Sequence, residues 1–445
     1  MKTYRSLLLI LSVFAITSVL TLSGCSKDEE NPQPQTVVDV AVADPQFSIL
    51  VEALQKAGLA ETLKGNGPFT VFAPTNNAFN ALFAQLGVSG VKDLTVEQLT
   101  PILLYHVISG KVQSSQLQSG YVSTLSPGAA GAGVSLKVDA ASRKLNGNVS
   151  ITSVDVEASN GVIHVIDKVL LPPTVVDIAL ANSDFTTLVG AVSKANLVTA
   201  LQSPGPFTVF APVNSAFSQL FSALGITGLE SLSAETLTPI LLYHVIGSAV
   251  KSSDLQSGYV NTLSAGPDGS FVSLNVDAVN VKLNGNVNIV VTDVVATNGI
   301  IHVIDKVLLP PSVVDIAVSN SNFSILVSAL VKAELVEVLS GDGPFTIFAP
   351  TNDAFNKLFA QLGVSGIDQL TKEDLTPILL YHVVSGNIRS NQLSNGQVET
   401  LNGKININVG NPVTINGTSK VVLADVQGRN GVIHVIDEVL IPSSK

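Results

Sequence analysis

Tryptophan is absent from this 445-residue chain, cysteine and methionine occur once each, and only 13% of the residues are charged. A single cysteine excludes any internal disulfide, so each core must be held by packing alone. The 23 basic residues are outnumbered by 34 acidic ones, for a net charge of −11. That balance argues against a nucleic-acid partner and against a broad electrostatic attraction to anionic lipid. Without Trp or an Arg cluster, the chain also has no stacking platform for single strands. No "RGD" occurs. What is abundant is apolar: 46% of the residues are hydrophobic, the composition of a folded protein with large buried surfaces.

The amino terminus has a plan of its own. "MKTYRS" carries two positive charges, "LLLILSVFAITSVL" is a short apolar run, and "LSGC" closes it at Cys25. This is the pattern of a secretory signal peptide, too short and wrongly flanked for a membrane span. "LSGC" resembles the bacterial lipobox, which implies cleavage after residue 24 and lipid on Cys25. Such a lipid anchors through buried methylenes, so the folded part needs no spanning helix. "SKDEENPQPQ" follows as an extended acidic tether over residues 25–36. Acid so close to the cysteine resembles the export signal of surface lipoproteins of the Bacteroidetes. The expectation is an outer-membrane lipoprotein exposed at the cell surface, touching the membrane through its N-terminal lipid only.

Beyond the tether the chain repeats. "GPFTVFAPTNNAF", "GPFTVFAPVNSAF" and "GPFTIFAPTNDAF" start at Gly67, Gly205 and Gly343, 138 residues apart each time. That period is a whole domain, large enough to close its own core. The expected domains are 37–173, 174–311 and 312–442. Pro-Pro joints at 172–173 and 310–311 run straight into apolar segments, which predicts stiff connections and a rod-like or gently bent array. The third copy is shortened between its two histidines, His382 and His434.

Within a copy, apolar residues at helical spacing come first and alternating runs later. Pro45 opens one helix, Thr75 caps "NNAFNALFAQL", and "LTPILLYHVI" reads as a helix with Thr100 as N-cap and Pro101 at its first position. "VSLKVDA", "KLNGNVSIT" and "VIHVIDKVLL" read as strands parted by Gly and Asn turns. The class is α+β, three times over.

"TVFAPTNNAF", the Tyr-His at Tyr105–His106 and "NGVIHVIDKVLLP" occur in this order in every copy. In these phrases the chain resembles the fasciclin (FAS1) domain. The resemblance implies three tandem β-sheet wedges, each packed with several helices, and a role in adhesion or matrix contact. It also implies that the family's Tyr-His motif, linked to adhesion, maps to Tyr105, His106, Tyr243, His244, Tyr381 and His382.

The residues themselves favour a structural role for those pairs, and for His164, His302 and His434. Every histidine of the chain lies in "YHV" or "IHVI", among apolar neighbours. A neutral imidazole supplies one donor and one acceptor where helix meets sheet. No nucleophile, base and orienting group fall together, and no catalytic residue is assigned. Metal spacing is missing as well, since His164 and Asp167 point to opposite faces of one strand. Asp39, Asp177 and Asp315 at the domain starts, and Asp167, Asp305 and Asp437 at the ends, read as caps or junction residues. The chain is therefore expected to be non-enzymatic, without cofactor or metal. Its expected role is a surface-anchored adhesion or interaction lipoprotein whose three domains add avidity against an extracellular protein or polysaccharide. The alternative is a glycan-binding surface lipoprotein assisting polysaccharide capture, with Tyr121 and Tyr259 as candidate stacking rings.

Overall fold

A computed structural model describes residues 35–442. The leader, Cys25 and the tether as far as residue 34 lie outside them. Three units follow one another, each built on a seven-stranded sheet.

In the first unit, α1 (Val37–Ala43), α2 (Ser48–Lys56) and α3 (Ala60–Lys64) precede β1 (Phe69–Pro74), α4 (Asn76–Leu86) and α5 (Val96–Tyr105). β2 (Val107–Ser109), β3 (Gly120–Pro127), β4 (Gly133–Asp139), β5 (Lys144–Leu145), β6 (Val149–Ala158) and β7 (Gly161–Ile166) complete it. The sheet order is β2-β1-β7-β6-β5-β4-β3. Only β1 and β7 run parallel, with Phe72 opposite His164. The α+β class and the wedge-and-helices architecture are both realised.

Period-two alternation along β1 and β7 divides the interior in two. Val71, Ala73, Ile163 and Val165 face the helices and join Leu50, Phe79, Leu99 and Leu103. Phe72 and Ile166 face the other way and join Tyr105, Val134, Leu136 and Leu145 under the curled end of the sheet. The other units repeat both clusters.

The helix starts are set by local chemistry. Thr36 caps α1 in a box with Asp39, and Thr75 accepts from the Ala78 N–H at the start of α4. The start expected at Thr100 is wrong. α5 begins at Val96, capped by Thr95 in a reciprocal box with Gln98, and Pro101 lies inside the helix. The box satisfies two end groups at once. Pro101 forfeits one backbone donor, while Thr100 turns its hydroxyl back to the Val96 carbonyl at 2.8 Å.

Candidate functional site

The Tyr-His pair ends α5, and both residues are turned inward. Tyr105 is wholly buried and His106 is 2% exposed. The Tyr105 hydroxyl donates to the Ser135 carbonyl and accepts from Asn146 Nδ2, both at 2.9 Å. Burial therefore pushes its pKa up. His106 Nδ1 lies 2.7 Å from the Ile102 carbonyl, and its Nε2 receives the Leu170 N–H at 2.9 Å. An N–H can donate only to an unprotonated nitrogen, so the ring is the neutral Nδ1–H form. Burial lowers the pKa to about 4, against the opposing pull of the Ile102 carbonyl. His244 and His382 keep the same two contacts and are lowered to about 4 for the same reason. Each ring ties a helix end to the segment that leaves the domain, and its ring nitrogens are both occupied.

His164 lies on β7 with its ring 5.7 Å from that of Phe72. Its Nε2 reaches the Val112 carbonyl at 3.0 Å, and its Nδ1 accepts from the Asp155 N–H at 3.3 Å. Asp155 itself is held in a left-handed backbone conformation, φ 60°. Its carboxylate accepts from both the backbone and the hydroxyl of Ser114, which holds its pKa below the usual range. Asp293 and Asp425 repeat the arrangement with Ser252 and Ser390. Reading the sequence missed these aspartates. The visible signal was an Asp nine residues before each "IHVI" histidine, inside what otherwise looked like plain strand. Asn160, Asn298 and Asn430 were missed too. Asn160 accepts from the Val37 N–H and donates to the carbonyls of Leu63 and Gly65, closing the unit's start onto its end.

The other carboxylates do not converge. Asp39, Asp177 and Asp315 each complete a capping box. Asp167, Asp305 and Asp437 accept from the backbones of Ser150, Asn288 and Lys420. Among the described residues, no group of three or more His, Cys, Asp or Glu is placed to hold a metal ion. None of their helices is long and apolar enough to cross a membrane.

The surfaces that do meet another unit are the two junctions, and they are built alike. The β3–β4 hairpin tip of the first unit docks on the second, where the Ala129 N–H donates to the Ala296 carbonyl at 3.0 Å. Ser135 Oγ, nearby on β4, accepts from the Val295 N–H at 2.9 Å. In the second unit the matching hairpin tip, Pro267–Gly269, meets Asn387 of the third, and Ser273 accepts from the Gln427 N–H at 3.0 Å. Gly128 is required at the first contact, because a Cβ there would come within 2.7 Å of Val295. The stacking rings expected at Tyr121 and Tyr259 are not free. Tyr121 packs on the second unit's core and Tyr259 on the third's. The Tyr259 hydroxyl also accepts from Asn320 Nδ2 at 3.3 Å. Both rings serve the joints, since a half-buried aromatic with a polar tip suits an interface.

The two ends of the array differ from the joints. Where Val295 and Gln427 are 4% and 3% exposed, the first unit has Glu157, exposed and paired with Lys111. Where Ser135 and Ser273 are buried, the third unit has exposed Lys404. Its hairpin is also cut back. Tyr105 reaches the Ser135 carbonyl across 30 residues, and Tyr381 reaches the Lys404 carbonyl across 23.

Comparison with known proteins accounts for all three units. A family model described as "Fasciclin domain" matches residues 45–172, 183–310 and 321–442. Human periostin is 30% identical over 411 residues, covering 87% of this chain and 45% of its own length. The pig transforming growth factor-beta-induced protein ig-h3 is 31% identical over 423 residues, covering 92% of this chain and 57% of its own. This chain thus spans about half the length of these relatives. Protein sll1483 of Synechocystis is 48% identical over 138 residues, 31% of this chain and 74% of its own. A solved FAS1 domain pair from the insect cell adhesion molecule fasciclin I aligns at TM-score 0.38 and 18% identity, covering 59% of this chain and 98% of that one.

Proposed function

We propose that this chain, which belongs to the fasciclin domain family, is a non-enzymatic adhesion protein that holds three like domains at fixed spacing on a cell surface. The repeated junction carries this reading. The same hairpin, serine and tyrosine are used at both joints, so successive domains stand in the same relation and offer equivalent faces at regular intervals. Weak contacts by each face then combine against one extended target. The working domains are 37–173, 174–311 and 312–442. Cys25, lipidated after loss of residues 1–24, would anchor the first of them through the tether of residues 25–36.

The paired histidines and tyrosines act within this scheme as structural ties, and the ligand contacts fall on exposed helix and loop positions. The charged groups at the two outer faces and the shortened third hairpin act as caps, in the way that terminal repeats with polar faces end a solenoid. Polysaccharide capture loses support, because Tyr121 and Tyr259 are taken up by the joints.

The deciding experiment is binding of residues 26–445, and of each domain alone, to immobilised matrix proteins and polysaccharides. Avidity requires the three-domain chain to hold a protein target at least tenfold more tightly than any single domain. Capture of a defined glycan by one domain, with no gain from its neighbours, refutes the proposal.

A further inference from the structure

We propose that the second domain contains a binding site for a small apolar ligand, a single ring or the end of an alkyl chain, beneath the helix Thr186–Lys194. A cavity of about 150 Å³ lies there, walled by Val175, Leu188, Val192, Leu201, Phe210 and Ile301. The matching space in the third domain, bounded by Leu330 and Leu339, is about 20 Å³. The helix sequences explain the difference. "SILVEALQK" in the first domain and "SILVSALVK" in the third become "TTLVGAVSK" in the second. Leu54 and Leu330 are each 5% exposed and seal their cores. Val192 and Ser193 stand where the sisters have Leu-Gln or Leu-Val, and Val192 is left only half-buried. Across the gap, Ala41 and Ala317 are 4% and 3% exposed, whereas Ala179 is partly open to solvent. Two walls thus draw back at one mouth, beside Leu180, which is 59% exposed.

The chemistry inside specifies the ligand. His244 reaches the cavity, but both its ring nitrogens are bound to backbone groups, so it offers a neutral edge. Ser193 at the rim is the other polar side chain lining the space. Recognition therefore rests on shape and apolar contact. An apolar core cavity of about 150 Å³ stays dry and accepts a benzene-sized molecule, which sets the scale of what this pocket takes.

The test is xenon binding in crystals of the full chain, with calorimetric titration of benzene, n-hexanol and octanoate. Xenon is expected in the second domain only, and at least one organic probe is expected to bind. Val192→Leu restores the residue that both sister domains already accommodate and is expected to weaken that probe at least tenfold. Ser193→Val, which narrows the rim alone, keeps the test open if the first variant folds poorly. Tighter binding of benzene identifies a ring ligand and tighter binding of octanoate an alkyl chain, and either upholds the site. Xenon in all three domains alike, no binding of any probe, or unchanged affinity in both variants overturns the proposal.

Discussion

Acidification to about pH 5 would protonate His106, His244 and His382 in the unfolded chain but not in the folded one. Their ordinary value is 6.5 and burial lowers each to about 4. Between those values the unfolded state binds more protons, so stability must fall as pH falls. It is complete above about 6.5, declines through the window, and levels off below about 4. At pH 5 the loss is about 2 kcal/mol per histidine relative to neutral pH, and about 3 kcal/mol once the window is crossed. Cooperative unfolding of the whole chain would add the three losses to about 6 kcal/mol at pH 5, whereas unfolding domain by domain would show about 2 kcal/mol in each transition. His302 and His434 are also lowered by burial and act in the same direction. Hydrogen bonds from serine and threonine side chains hold Asp39 and Asp155 below their ordinary value of 3.8, so the stability they add is lost only at more acid pH. Denaturant titrations followed by circular dichroism at several pH values measure the loss directly. The triple variant H106Q/H244Q/H382Q keeps one donor and one acceptor at each position but cannot take up a proton. It should flatten most of the dependence. A wild-type midpoint that does not move between neutral pH and pH 5, or a triple variant that moves just as far, would refute the reasoning.

Further outcomes follow from single residues. Val213 stands at an N-cap with no side-chain bond, where Thr75 and Thr351 cap the sister helices, so Val213→Thr should stabilise the second domain by about 1 kcal/mol in denaturant titration. Tyr105→Phe removes two buried hydrogen bonds and should cost about 1–3 kcal/mol, yet leave target binding unchanged at temperatures where the variant is folded. Gly128→Val should force the first joint open, raising the radius of gyration by small-angle scattering while the midpoint of the third domain stays where it was. Replacing the third domain's short hairpin with that of the second, together with Glu157→Val and Lys111→Ala, should produce head-to-tail chains that the unaltered protein does not form, measured by light scattering. A graft that scatters like the unaltered protein, with its hairpin folded, would count against the caps.

Much of the fold was legible because its signals are local. The Thr75 cap, the apolar spacing of Ala78, Phe79, Leu82 and Phe83, and the Asn-Gly turn at 146–147 each act within a few residues. The start of α5 was misplaced because Thr100–Pro101 imitates an N-terminus that Thr95 and Gln98 in fact supply. What could not be read were contacts set by tertiary distance. Asp155 makes sense only beside Ser114, 41 residues away, and Asn160 only beside Val37, 123 residues away. Tyr121 and Tyr259 looked free for the same reason, since their neighbours belong to the following domain.

The triplication supplies controls that a single sequence rarely offers. Where the copies agree, as at Tyr105, His106, His164, Asp155 and Asn160 with their counterparts, every group is spent on internal hydrogen bonds, and agreement marks the fold. Where they differ, the differences include the joints, the outer faces and the core of the second domain. Glu157, Val295 and Gln427 occupy one site: the first is exposed and paired with Lys111, while the other two are buried at joints and each donates its backbone N–H to a serine of the preceding unit. Lys404 stands where Ser135 and Ser273 accept a backbone N–H. Val192 opens a core that Leu54 and Leu330 close. The buried Tyr-His pairs, with their hydroxyl and ring nitrogens bound internally, present nothing to a ligand without local unfolding. A face shared by the three domains therefore has to be built from exposed side chains, while the joints and the second domain's cavity are where the copies part.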